Sequence, residues 1–231
     1  MRASAIIVAA GSGARLGRAE PKAFVPLGGH PMLYYSLAAA ARVSGIAEII
    51  VTVPAGMEAA ARACGVAANA AHLPIKITPG GAERQDSVRI ALALVSAESD
   101  LVIVHDAARP LARPELFAAC LAAAERAGGA IAAIPVADTL KRVAEGAITA
   151  TIARAGLWQA QTPQAFRRSI LIAAHDRAAS EKTAATDDAD LAERIGATVE
   201  VVESAAPNFK ITTQADLAMA EAILASRAGA P

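Results

Sequence analysis

Ala5-Ile6-Ile7-Val8-Ala9-Ala10-Gly11-Ser12-Gly13-Ala14-Arg15-Leu16-Gly17, followed by Pro21-Lys22, stands near the N-terminus and joins a strand-like run to a glycine-rich turn. Further runs of this kind lie at Glu48 to Val53, Ile75 to Ile77, Leu101 to His105, Ala130 to Ile134 and Thr198 to Val202. Alanine-rich segments of helical length separate them: Met32 to Arg42, Met57 to Cys64, Arg84 to Val95, Pro114 to Ala127, Arg167 to Ala178, Asp187 to Ile195 and Thr213 to Ser226. Short apolar strands alternating with helices predict an α/β fold, a doubly wound and mainly parallel sheet with helices on both faces. Alanine suits buried and exposed helix faces alike, so the periodicity does not say which face is which.

One stretch breaks the alternation. From Pro135 to Gln164 the chain reads as short strands and turns, with Lys141, Arg142, Glu145 and the single tryptophan, Trp158. A segment of this length without a long helix predicts a projecting arm, about 135–164, used as a lid or a subunit contact. Its apolar Leu140, Ile148, Ile152, Leu157 and Trp158 favour burial against a second copy, so a homodimer is expected. No internal repeat or linker divides the rest, and one domain over 1–231 is the reading.

The 231 residues are 55% hydrophobic and 19% charged, enough to bury one substantial core. Lys plus Arg and Asp plus Glu both number 22, so no global field draws the chain to nucleic acid or an anionic membrane. Cys64 and Cys120 lie far apart in alanine-rich sequence and read as reduced, buried thiols. No leader pattern precedes the first strand and no long uncharged apolar stretch occurs, which predicts a cytoplasmic protein.

The glycine-rich loop carries the strongest chemical signal. Small residues let backbone N–H groups approach phosphate oxygens, while Arg15 and Lys22 bring positive charge to where a triphosphate would lie. A Walker loop is excluded, because no Gly-Lys-Ser/Thr closes it. A dinucleotide fingerprint is excluded too: Leu16 stands where its last glycine belongs, and no acid occurs between Glu20 and Glu48.

His105-Asp106-Ala107-Ala108-Arg109-Pro110 follows the strand Leu101 to Val104. An acid at the carboxyl end of a parallel strand sits where open α/β sheets bind ligands, and a carboxylate is a hard oxygen donor suited to Mg²⁺. Asp106 is the candidate metal ligand. Arg109 could pair with a second phosphate. Strand alternation turns His105 to the opposite face, a structural role. Gly80-Gly81-Ala82-Glu83-Arg84-Gln85-Asp86-Ser87 is a glycine turn opening a helix whose free N–H groups suit a base or ribose. Lys210, in Asn208-Phe209-Lys210-Ile211-Thr212, reads as a lysine within a late strand, for which a phosphate partner is plausible.

These motifs, together with Asp138-Thr139-Leu140-Lys141-Arg142 and Gly156-Leu157-Trp158-Gln159-Ala160-Gln161-Thr162-Pro163-Gln164, stand in one order. In that order they closely resemble the 2-C-methyl-D-erythritol 4-phosphate cytidylyltransferase family, from about Ala5 to Leu224. The resemblance implies a Rossmann-like nucleotidyltransferase fold, with CTP as co-substrate, Mg²⁺ as cofactor and a small phosphorylated polyol as acceptor. By position it implies that Arg15 and Lys22 stabilise charge at the α-phosphate and that Asp106 holds the metal. It further implies that Ala9, Ala10, Gly11, Gly81 and Ser87 hold cytidine, with Gly13 and Arg84 counted among the nucleotide contacts. Arg109, Thr139, Thr162, Thr186 and Lys210 match acceptor-binding positions, Lys210 counting as catalytic as well. Arg154 matches an arginine that the arm carries to the neighbouring subunit's site. A sister family acting on ribitol 5-phosphate shares the fold, CTP and much of the motif set, and is the alternative.

Overall fold

The computed structural model describes residues 1–11, 13, 20–204 and 207–228. The first apolar run is β1 (Ala3–Val8), with Ala5, Ile6 and Ile7 fully buried, as a strand covered on both sides must be. A short pair, β2 (Pro26–Leu27) and β3 (His30–Pro31), leads into α1 (Met32–Ala41). The alternation continues through β4 (Ile46–Val53), α2 (Glu58–Ala67), β5 (Ile75–Pro79), α3 (Arg84–Leu92), β6 (Leu101–Asp106), α4 (Pro114–Ala127) and β7 (Gly129–Pro135). A hairpin of β8 (Leu140–Ala144) and β9 (Ala147–Ile152) interrupts it. Then come β10 (Trp158–Arg167), α5 (Arg168–Glu181), α6 (Asp188–Arg194), β11 (Val199–Glu203) and α7 (Gln214–Ala228).

Seven strands form one sheet in the order β11-β7-β10-β6-β1-β4-β5. The pairings β1–β4, β1–β6, β4–β5 and β7–β11 are parallel, while β10 runs antiparallel to both β6 and β7. Alternation along β1 divides the core. Ala5 and Ile7 pack with α1, α2 and α4, whereas Ile6 packs with α3, α5 and α6. A third cluster joins Leu217 and Ala220 of α7 to Val25, Leu27, Met32 and Ile211. The expected doubly wound, mainly parallel α/β architecture is therefore observed.

Helix α4 shows how the alanine-rich segments commit to one face. Phe117, Cys120, Leu121 and Ala124 are buried at helical spacing. Pro114 starts the helix where its missing N–H costs nothing, and Gly128, at φ 104, ends it in a conformation that a side chain would oppose. Both cysteines are free and buried, and burial pushes the Cys120 thiol up to about 12, which keeps it protonated and inert. Among the described residues no helix is long and apolar enough to cross a membrane.

The expected arm of 135–164 is too long at both ends. Pro135 closes β7, and Trp158–Arg167 is a ten-residue strand in the middle of the sheet, buried from Gln161 to Phe166. The projecting part is the hairpin Leu140–Ile152 with its short connections. Gln-Thr-Pro-Gln resembles a turn, since proline cannot donate to a ladder and is normally kept out of central strands. The sheet accommodates it with a shift of register against β7 between Ala160 and Gln164.

Candidate active site

In an open α/β sheet the ligand crevice forms outside the carboxyl ends of the strands, where successive connections turn opposite ways. That point here lies between β1 and β6, which pair Val8 with Asp106 at their last residues. A cleft of about 340 Å³ opens there. It gathers Ala9, Ala10, Gly11, Gly13, Lys22, Gly81, Arg84, Ser87, Asp106 and Lys210, ten of the residues expected from sequence. Arg15, expected beside Lys22, lies outside the described residues.

Close packing explains the glycines. Gly13 has φ +70, and a Cβ there would sit 2.5 Å from the Lys22 Cβ, so this turn is seated directly on Lys22. Added Cβ atoms would come within 2.3 Å of the Ala10 Cβ at Gly80 and of the Asp86 Cβ at Gly81. The two loops touch where Gly80 meets Ala10, which brings β1 and α3 to one cleft, while Gly81 packs on the first turn of its own helix. Helix α3 begins with a capping box between Glu83 and Asp86. The Ser87 hydroxyl accepts from the Gly81 N–H and donates to the Glu83 carbonyl, both at 3.1 Å, so it shapes the turn as well as lining the cleft.

Asp106 is the electrostatic centre. Its Oδ1 accepts from Arg84 Nε at 2.9 Å and its Oδ2 from Lys210 Nζ at 2.7 Å. Burial alone would raise this carboxyl; the charges of Arg84 and Lys210 outweigh it and hold Asp106 well below the usual carboxylate range. It is thus ionised at neutral pH. Lys210 reaches it from residues 208–212, which carry no strand, contrary to the expectation for this lysine. Arg84 lines the cleft but gives a second nitrogen, Nη1, to Asp188 Oδ2 at 2.8 Å.

Behind Asp106 stands a neutral relay of hydrogen bonds. The Asp106 N–H donates to Thr162 Oγ1 at 3.0 Å, and Thr162 Oγ1 lies 3.1 Å from His105 Nδ1. His105 Nε2 lies 3.2 Å from the Arg109 carbonyl, which can only accept, so Nε2 carries the proton and a neutral ring receives the Thr162 hydroxyl at Nδ1. Burial pushes His105 down to about 4, and its ring packs tilted against Phe117 with centroids 4.8 Å apart. The expected structural role of His105 is the one observed. Because its pKa is depressed from about 6.5, the unfolded chain binds the proton first as pH falls. The stability His105 contributes as a neutral ring is complete above about pH 6.5 and is lost down to about 4. In His105→Gln the slope of stability against pH over that window should be shallower than in the wild type; equal slopes by urea unfolding would count against this assignment.

The remaining expected residues stand apart from the cleft lining. Thr162 is buried, its hydroxyl committed to the Asp106 backbone and His105. Arg109 donates from Nη1 to the Asn208 carbonyl at 2.8 Å. Thr139 and Arg154 are exposed on either side of the hairpin, where the Arg154 guanidinium donates to the Ala137 carbonyl, and Thr186 is exposed ahead of α6. Sequence reading missed Asp188 and His175, both 1% exposed and joined through Asp188 Oδ1 and His175 Nε2 at 3.0 Å. Only their position beside Thr186 and within α5 was visible; nothing local marks them as partners of a residue on α3.

Among the described residues no group of three or more His, Cys, Asp or Glu could hold a metal by itself. A single ionised carboxylate in a cleft also lined by Gly11, Gly13 and Lys22 is a donor set that fits Mg²⁺, which typically takes one or two carboxylates and completes its shell with phosphate oxygens and water.

The sequence profile of the family described as 2-C-methyl-D-erythritol 4-phosphate cytidylyltransferase matches residues 3–226. A protein of that name from Deinococcus radiodurans is 46% identical over 222 residues, covering 96% of this chain and 89% of its own. The crystal structure of 2-C-methyl-D-erythritol 4-phosphate cytidylyltransferase from Thermus thermophilus superposes with a TM-score of 0.80 at 37% identity, covering 96% of this chain and 98% of that one. The structure of 4-diphosphocytidyl-2C-methyl-D-erythritol synthase from Anaerococcus prevotii gives a TM-score of 0.84 at 31% identity, covering 97% and 98%.

Proposed function

Because the chain belongs to the 2-C-methyl-D-erythritol 4-phosphate cytidylyltransferase family, we propose that its cleft carries that family's reaction on the residues described above. The chain transfers the cytidylyl group of CTP to 2-C-methyl-D-erythritol 4-phosphate. The products are 4-(cytidine 5'-diphospho)-2-C-methyl-D-erythritol and pyrophosphate, in the non-mevalonate route to isoprenoid precursors. The observation that carries the reading is the meeting of a glycine-rich loop, Lys22, Asp106 and Lys210 in one cleft at the turning point of the sheet.

The acceptor phosphate already bears a nucleophilic oxygen, which attacks the α-phosphorus as pyrophosphate leaves; no covalent enzyme intermediate is needed. The obstacle is repulsion between two polyanions, about 4 kcal/mol per unit-charge pair at about 4 Å and an effective dielectric near 20. The backbone of Ala9, Ala10, Gly11 and Gly13, with Gly81, Arg84 and Ser87, holds the nucleotide. Lys22 and Arg15 stabilise charge growing on the α-phosphate. Lys210, Arg109, Thr139, Thr162 and Thr186 align the acceptor. Mg²⁺, when bound, supplies charge neutralisation on the polyphosphate, and Asp106 is the residue that would hold it. Lys210 is the more exposed of the two cations on Asp106 and the one free to give way, since Arg84 is also tied to Asp188.

We read the chain as a single nucleotidyltransferase domain acting as a homodimer. Strand β7 runs parallel to β6, both being antiparallel to β10, so the hairpin leaves from the sheet edge that carries Asp106. It exposes Val143 at 56% and Ile148 at 65%, and Trp158 at the start of β10 is exposed at 41%, apolar surface suited to a twin arm across a two-fold axis. Incubation with CTP, Mg²⁺ and either methylerythritol phosphate or ribitol 5-phosphate tests the function by pyrophosphate release, and preference for the ribitol ester would overturn the acceptor assignment. In the same assay Arg154→Ala should raise the acceptor KM about tenfold and leave the CTP KM unchanged. At acceptor concentrations below the wild-type KM, heterodimers of an Arg154→Ala and a Lys22→Ala subunit should show about half of the wild-type rate, because both defects fall in one composite site while the other is intact. No recovery in verified heterodimers would mean that Arg154 serves its own subunit.

A further inference from the structure

Arg84, itself a quarter exposed at the cleft, reaches Asp106 as the end of a line of side chains whose other members, His175 and Asp188, are buried. His175 on α5 donates to Asp188 at the start of α6, and Asp188 accepts from Arg84 on α3, which in turn donates to Asp106 at the end of β6. Burial favours an uncharged Asp188, yet Arg84 and then His175 hold its carboxyl below the ordinary range, so a charged carboxylate sits buried behind the cleft. Such buried pairs are weak stabilisers, because apolar residues of similar volume often do as well or better. What they supply is direction. A guanidinium is a rigid planar fork, and fixing Nη1 on Asp188 fixes where Nε points.

The surroundings lock the same geometry. Gln85, beside Arg84, donates to the Thr183 carbonyl at 3.1 Å and accepts from the Ala185 N–H at 3.0 Å, holding the segment before α6 against α3. From the other side Gln164 of β10 donates to Asp187 Oδ2 at 2.8 Å and accepts from the Ala189 N–H at 3.2 Å. Asp188 is therefore placed by two independent clamps and does not itself line the cleft.

We propose that Asp188 is a positioning residue for cytidylyl transfer: it orients the Arg84 guanidinium so that Asp106 keeps a single carboxylate orientation toward the reacting phosphates, with His175 as its backing. This role rests on the assignment of cytidylyltransferase activity to the cleft. The test is steady-state kinetics of the full chain with CTP, methylerythritol phosphate and Mg²⁺, for wild type, Asp188→Asn, Arg84→Lys and the double variant, beside thermal unfolding of each. Absence of turnover in the wild type would sink the cytidylyltransferase assignment itself, whereas the role of Asp188 is read from the variants of an active wild type.

Asp188→Asn should lower kcat about tenfold or more, the scale on which partners behind a site's ligands act, with the CTP KM within about threefold of wild type. The double variant should be no slower than Arg84→Lys alone, since Asp188 acts through Arg84. Wild-type kcat in Asp188→Asn overturns the proposal. So does a double variant whose loss is the product of the two single losses, because independent effects multiply. Should Asp188→Asn fail to fold, Arg84→Lys decides: lysine keeps the charge but cannot bridge two carboxylates as a fork, and kcat should still fall about tenfold at an unchanged melting temperature. Wild-type turnover in that variant overturns the proposal as well.

Discussion

Lys22→Ala should reduce kcat by about a hundredfold to a thousandfold while changing the Kd for CTP only a few-fold. The contrast follows from where charge grows. On the proposed mechanism the ground-state triphosphate is shared among the backbone N–H groups of the loop, the start of α3 and the cations of the cleft, so one lysine is a modest part of the total. In the transition state the α-phosphate gains charge while two polyanions are pressed together, and a cation fixed beside it contributes most there. Lys22 has the required fixity: its stem is the surface on which Gly13 is packed, and it lines the same cleft as Asp106 and Lys210. Single-turnover rates together with equilibrium CTP binding separate the two effects. A variant that loses affinity in proportion to rate would show that Lys22 contributes uniform binding and not transition-state stabilisation.

Phe166→Ala should cost about 3–5 kcal/mol of stability, the range for removing a buried aromatic side chain. Phe166 is wholly buried in β10, opposite Val102 of β6 and Gly129 of β7. Its ring so nearly fills the space over Gly129 that a Cβ on that glycine would lie 2.9 Å from the Phe166 Cδ1. Truncation thus opens a hole in the layer where α5 and α6 meet the sheet, and β-strand neighbours on both sides limit collapse. For a chain of this size the melting temperature should drop by about 10 °C. Urea unfolding that gave a loss under about 1 kcal/mol would mean the site repacks.

The elements that could be read from sequence are those whose residues all point the same way. Ala5 to Val8 and Leu101 to Val104 are uniformly apolar because both faces of each strand are covered, and such runs announce themselves. Strand β10 was hidden because its buried residues include Gln161, Thr162 and Gln164, whose polar atoms are satisfied by Asn208, the Asp106 backbone and α6, partners far away in the chain. The cleft was legible to the extent that its parts are local: glycines beside a strand, an acid at a strand end. The Arg84–Asp188 pair was not, because 104 residues separate its members and neither position has a distinctive neighbourhood. Lys210 stands out by its residue type, but Phe-Lys-Ile-Thr alternates as strands do and so suggests a strand; the chain there instead runs as an irregular segment between the sheet and α7.

The single reversed strand also governs the order in which this protein can be completed on the ribosome. Strand β10 lies between β6 and β7, yet both neighbours are synthesised before it. Until residues 158–167 leave the exit tunnel, the partial sheet β6-β1-β4-β5 ends in an unpaired β6 edge, and β7 has neither of its neighbours, since β11 is made later still. A chain truncated before Trp158 is thus not a smaller version of the fold but an open sheet edge at β6 beside an unpartnered apolar strand, β7, both prone to aggregation. The polar Gln-Thr-Pro-Gln core of β10, poor in strand propensity by itself, joins the β6 edge already formed to β7 and is a weak seed for pairing with other chains.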